Sequence, residues 1–308
     1  MAKGNMLLGY SRGSVGDVTF TKIKGQQVAR ARNRNPRNPR TNKQSLQRAI
    51  FAAAVKFYTR GIQSFYKFAF ETKRQVESDY NAFMRENVKR APAISREAFA
   101  NYDYPIIAPF IMSKGSLAPV NNVMDGGDFY MIISPVVQGQ TIDTIGQLST
   151  VLTADSNYQV GDIITTVSII SKYNGVVPSA DASGSGKTTW TIKQFVIDPD
   201  NTETIQSVMG SGISNITIDG TEYNAIQINN TSGGFSAGVA VHSRNTDSGL
   251  KCSTQELILN TDAETAYEAS MAKAYKEAVI TSWQAYGSVD ARPEAILKGS
   301  IAYSSKTD

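Results

Sequence analysis

The alternation of apolar and polar positions divides the chain into an extended start, a helical middle and a strand-rich remainder. Val18 and Phe20 alternate with polar residues, and after a turn signal at Lys24-Gly25 a second alternating run covers Gln27 to Arg32. Period-two alternation around a glycine turn predicts a β-hairpin. The glycine-spotted stretch from Gly4 to Gly16 before it reads as loop or irregular extended chain. At Thr41-Asn42-Lys43-Gln44 the Ser/Thr-x-x-Glu/Gln pattern of a capping box predicts a helix start. Leu46, Ile50, Ala53/Ala54 and Phe57 follow at helical spacing, and Gly61 is expected to end that helix. A second helical region is expected from about Ile62 to Lys89, with a break near Glu77-Ser78-Asp79 and closure by Pro92.

Beyond Tyr104 the period changes. Pro105, Pro109 and Pro119 mark an extended connection. Seven runs rich in Ile, Val, Thr and Tyr follow at residues 129–137, 163–173, 188–197, 213–218, 223–228, 238–243 and 255–259. Short strands with turn signals between them, and no long helix inside, point to an antiparallel sandwich or barrel. Thr261 to Gln284 reads as one helix capped by Thr261 or Asp262, and Ile296–Ile301 as a further short strand. The expected class is therefore α+β: a basic hairpin and extended arm over 1–45, a helical region over 46–103, and a β-rich body over 104–308 carrying a helix at 261–285.

Charge sharpens this division. The net formal charge is only +4, yet residues 1–96 hold 20 Lys+Arg against 5 Asp+Glu, and residues 97–308 hold 11 against 22. Such asymmetry points to a nucleic-acid-facing end joined to a separate body, and it also allows one copy's basic part to meet another's acidic body. The basic charge is concentrated in Arg30, Arg32, Arg34, Arg37, Arg40, Lys43 and Arg48, a stretch without a carboxylate. Asn35-Pro36-Arg37 and Asn38-Pro39-Arg40 repeat one tripeptide. Each proline fixes its own φ and biases its predecessor toward extended geometry. In a polyproline II arm Arg34, Arg37 and Arg40 project from one side, roughly 9 Å apart. A stiffened arm loses less entropy on docking, and guanidinium groups suit phosphate oxygens. The competing reading is a solvated basic linker or a contact to an acidic subunit surface.

Nine aromatics lie between Phe51 and Phe83, interleaved with Lys56, Arg60, Lys67, Lys73 and Arg74. They read either as a stacking platform for single-stranded nucleic acid or as a helix–helix core with snorkelling lysines. Other candidate chemistry is weak. Ser183-Gly184-Ser185-Gly186-Lys187-Thr188 lacks the first glycine of a phosphate loop, since Asp181 stands there, and a strand pattern follows it; it reads as a hairpin loop. The single histidine, His242, has no nucleophile motif to serve and reads as structural. Cys252 is alone, which excludes an intrachain disulfide and a cysteine zinc cluster. The aspartates of Asp125-Gly126-Gly127-Asp128 and Asp198-Pro199-Asp200 lack calcium-loop spacing and read as turn chemistry. No secretory signal, membrane span, catalytic site, metal or cofactor is expected.

The ordered string Gly9, Gly13-x-Val15-Gly16, Phe20, Lys24-Gly25, Asn38-Pro39-Arg40-Thr41, Gln44, Gln47-Arg48 and Phe51 resembles a family of unknown function found in Bacteroidota genomes and gut bacteriophage assemblies. The resemblance covers about 50 residues, one-sixth of the chain, and implies no characterised activity. Together these features predict a non-enzymatic virion structural protein, a capsid or head-associated subunit of a phage or small virus. Its basic arm would contact packaged nucleic acid through the phosphate backbone, or a neighbouring subunit. Self-assembly into a homo-oligomer and a place in the virion after assembly in the host cytoplasm are part of that expectation. The alternatives are a cellular, cytoplasmic nucleic-acid-binding protein and a bacterial β-sandwich interaction module.

Overall fold

The computed structural model describes residues 13–23, 26–32, 41–60, 65, 69–71, 77–100, 104–174, 185–229, 234–247 and 249–285. Its contacts divide the chain into two units, residues 1–41 and 42–308.

The first unit holds an antiparallel sheet of β1 (Gly13–Val15), β2 (Val18–Ile23) and β3 (Gln26–Ala31), in that order. The hairpin of β2 and β3 agrees with the alternation. The strand β1 lies where irregular chain was expected. It forms because Gly16 takes φ 55, a value open to glycine at little cost, and turns the chain so that Val15 faces Val18. The Ser14 and Thr19 hydroxyls meet across that pair at 2.9 Å.

The second unit opens with α1 (Asn42–Thr59), which starts where the capping pattern places it. Ala49, Ala53, Ala54, Phe57 and Tyr58 are buried on it. The expected helix from Ile62 does not run through. Phe70 forms a parallel bridge with Lys114, the Glu71 N–H donates to the Lys114 carbonyl at 3.0 Å, and the Lys114 N–H donates to the Ala69 carbonyl at 2.9 Å. A segment paired in this way cannot also complete a helical ladder. Among the described residues α-helix is next found as α2 (Asp79–Asn87), where the Ser78 hydroxyl caps it by accepting the Asn81 N–H. The short α3 (Arg96–Ala100) follows.

Next come β4 (Ile111–Ser113), β5 (Asn122–Asp125), β6 (Asp128–Pro135), α4 (Ile145–Thr153), β7 (Ile163–Asn174), β8 (Ser185–Val196) and α5 (Ile205–Met209). They are followed by β9 (Ile213–Ile218), β10 (Thr221–Asn229), β11 (Phe235–Thr246), β12 (Gly249–Cys252), β13 (Gln255–Glu256) and β14 (Ile258–Leu259). One sheet runs β5-β6-β10-β9; a second runs β12-β11-β7-β8 with β14 also on β11; β13 and β4 form a pair. Every named strand pairing is antiparallel, and neither of the larger sheets closes into a barrel. Each of the seven expected strand runs is a strand or, at 255–259, a pair of short ones. Of the serine-glycine segment expected to form a hairpin loop, Ser185, Gly186, Lys187 and Thr188 instead belong to β8, paired with Asn174, Tyr173, Lys172 and Ser171 of β7, while Ser183 and Gly184 lie outside the described residues.

The sheet containing β7 and β11 is covered on both faces, which is why eight successive residues of β11 are buried. Val167, Ile169, Val239 and Val241 face a core shared with Phe57, Phe83 and Phe110. Ile164, Phe195 and Ala240 face Phe129, Met131 and Ile226 of the other sheet. The two sheets approach so closely at Gly238 that a Cβ there would stand 2.8 Å from Phe129 Cγ.

The expected single C-terminal helix is two, α6 (Thr261–Met271) and α7 (Lys273–Ala285), broken where Ala272 takes φ −63 and ψ 145. The break lets α6 bury Ala263 and Ala266 beside β11 while α7 turns Val279 toward α1. The cap is Asn260, not Thr261 or Asp262. Its Oδ1 accepts the Ala263 N–H at 2.9 Å, and its Nδ2 donates to the Gly234 carbonyl at 2.8 Å. The expected strand at Ile296–Ile301 lies outside the described residues.

Candidate nucleic-acid interface

Of the seven basic residues singled out above, Arg34, Arg37 and Arg40 lie outside the described residues. Arg30 sits on β3 opposite Thr19, and Arg32 follows the strand, its N–H donating to the Asp17 carbonyl at 2.6 Å. Both side chains are exposed. Alternation places Arg30 on the sheet face that carries Ser14, Thr19, Thr21 and Val28. The opposite face carries Val15, Val18, Phe20, Ala29 and Ala31, with Val15 59% and Val18 38% exposed. Neither face has a buried side chain among the described residues. Lys43 and Arg48 belong to α1, the first exposed and the second half-buried. Five residues apart on a helix, they occupy different faces.

Most of the described aromatics that follow resolve as core. Phe57, Phe65, Phe70 and Phe83 are at most 4% exposed, and Tyr58 is buried against Tyr80, with ring centroids 5.2 Å apart. Phe51 is different: it is 49% exposed. It lines a groove of about 600 Å³ with Val55, Lys56, Arg60, Arg96 and Phe99, and among the described residues no carboxylate lines it. The Lys56 ammonium is drawn inward, donating to the Phe99 carbonyl at 3.0 Å at the end of α3. The Arg96 guanidinium lies 5.3 Å from the ring centres of both Phe99 and Trp283. This geometry suits an anion or an aromatic plane at the open edge. Lys56 and Arg60 were visible in the sequence as basic residues among aromatics. Arg96 and Phe99 were not, because α3 reaches α1 only through the tertiary fold.

His242 is fully buried, and its Nε2 donates to Asp162 Oδ2 at 2.8 Å. Arg244 grips the same carboxylate with two prongs, Nε to Oδ1 at 2.6 Å and NH2 to Oδ2 at 2.7 Å. The Gln159 N–H adds a fourth bond at 2.8 Å. Burial alone would raise the Asp162 carboxyl; the bonds from Arg244, Gln159 and His242 outweigh it and hold the group below its ordinary range. Burial, with the Arg244 charge beside it, holds the His242 imidazole below its ordinary value against the opposing pull of Asp162. Tyr158, whose ring centre is 4.8 Å from the imidazole, is pushed up to about 12 by burial and by Asp155 and Asp162. Sealed at 0% and 1% exposure, the His242–Asp162 pair ties β11 to the turn before β7. Cys252 is also buried, its thiol 3.2 Å from the Ala69 and Lys114 carbonyls. Among the described residues no group of three His, Cys, Asp or Glu side chains is placed to hold a metal, and no helix is long and apolar enough to cross a membrane.

No curated protein and no solved structure matches the chain. Residues 10–127, which run from the N-terminal sheet through α1, α2 and α3 to the end of β5, match the model of an uncharacterised family, described as Family of unknown function (DUF6266).

Proposed function

We propose that this chain is a non-enzymatic virion structural protein, a capsid or head-associated subunit of a phage or small virus, whose basic N-terminal part contacts packaged nucleic acid or a neighbouring subunit. The observation that carries the reading is the sheet of β1, β2 and β3. It presents Arg30 and Arg32 outward and leaves Val15 and Val18 exposed on the other face, with no buried side chain among its described residues. Three short strands whose described side chains are none of them buried gain little stability alone, so such a sheet suits a chain completed by association. The arginines continue from that sheet as Arg34, Arg37 and Arg40, with Lys43 and Arg48 beyond. Phosphate contacts of this kind are sequence-blind and salt-sensitive. The motif string resembling a family of Bacteroidota and gut bacteriophages supports the placement in a virion.

Replacing Arg34, Arg37 and Arg40 together by Glu is expected to abolish binding to non-specific nucleic acid, followed by fluorescence anisotropy on labelled oligonucleotides. Neutralising the three instead, by Gln, is expected to flatten the slope of log K against log salt by about 2 to 3, since each lost contact contributes about 0.7 to 0.9. Unchanged binding together with unchanged assembly would remove the arm from the proposal.

A further inference from the structure

The body formed by residues 42–308 carries a second groove, of about 550 Å³, whose character is opposite to the one beside Phe51. Leu257, Ile258 and Met124 form an apolar floor; Glu256, Glu264 and Glu268 stand along it. Glu256 has Arg90 at 2.8 Å, while Glu264 and Glu268 are exposed one turn apart on α6, a like-charged spacing that opposes the helix. A cation supplied from outside would relieve them. The groove beside Phe51 offers that complement with Arg60 and Arg96, and among the described residues no acidic side chain lines it.

Resting on the assembly reading above, we propose that copies of this chain join head to tail, the acidic groove beside α6 of one copy receiving the basic face of α1 and α3 of the next. Exposed ion pairs are individually weak, so they steer and orient the contact and do not by themselves hold it. The anchor is Phe51, a half-exposed aromatic of the kind that carries interface energy, seated on the apolar floor of the partner groove. The two patches share no residue, so the contact is heterologous and generates a ring or an open filament of copies.

The test uses the full chain in sedimentation velocity, with circular dichroism to confirm folding. Glu264→Lys/Glu268→Lys and Arg60→Glu/Arg96→Glu are each expected to shift the protein from large particles to a small species. Mixed in equal amounts they are expected to recover the large particles, because the intact basic face of the first then meets the intact acidic groove of the second, and the two reversed patches meet each other. Variants that sediment like the wild type, or folded variants whose mixture stays small, would overturn this contact while leaving assembly standing. A wild-type protein that does not self-associate would overturn both.

Discussion

Replacing Asp162 by alanine is expected to destabilise the protein by about 3 kcal/mol, read as a lowered urea midpoint. Taking one partner from a buried charge pair typically costs about 3–5 kcal/mol, because the remaining charge is left without a counterion. The lower end applies because the Arg244 side chain keeps 19% exposure and can recruit water, whereas His242 has none. Asp162→Asn keeps the volume and one acceptor, and should recover part of the loss. A change below about 1 kcal/mol for the alanine variant would mean that the network does not anchor β11.

The same residues set the direction of the acid response. His242 has a folded value below its ordinary 6.5, so the unfolded chain takes up a proton first. Its contribution is complete above pH 6.5 and is lost as the pH falls from there toward the folded value. Asp162 is depressed below its ordinary 3.8; its contribution is present above that pH and is lost as the pH falls through the lower folded value. Both act in one direction. Stability should decline on acidification in two stages, the first absent from His242→Gln.

Replacing Phe57 by alanine is expected to cost about 3–5 kcal/mol, the range for deleting a buried phenylalanine. The ring is 1% exposed and lies 4.1 Å from Phe110, 5.0 Å from Trp190 and 6.1 Å from Phe83, centre to centre. It therefore joins α1 to β8, to α2 and to the chain entering β4. Phe51→Ala on the same helix is expected to change stability by less than about 0.5 kcal/mol, as surface positions do. Equal losses from the two would contradict the division of these aromatics into core and interface.

That division shows how far sequence pattern reaches. Phe51 and Phe57 look alike in the sequence, both aromatic and both on a helix, and only the partners of each face separate them. The strands were legible because β-branched runs bounded by turn residues, such as the one holding Val239 and Val241, are local information. The start of α1 was legible at Thr41 for the same reason. Thr144 and Gln147 form a complete capping box at the head of α4, a signal present in the sequence but embedded among strands. The break at Ala272 had no local signal, alanine being the best helix former; it follows from two packing directions that one straight helix cannot serve. The bridge of Phe70 to Lys114, and the meeting of Asp162 with His242 80 residues later, depend on tertiary pairing and have no periodic trace. The basic residues of the candidate interface were legible as charge; the structure adds that Arg30 and Arg32 are exposed.

The most direct measurement is sedimentation velocity of the gently purified wild-type protein, recorded at 260 and 280 nm together. Large, uniform particles that absorb strongly at 260 nm are expected, protein and nucleic acid moving as one boundary. A small species with a protein-only spectrum would contradict the proposed virion role.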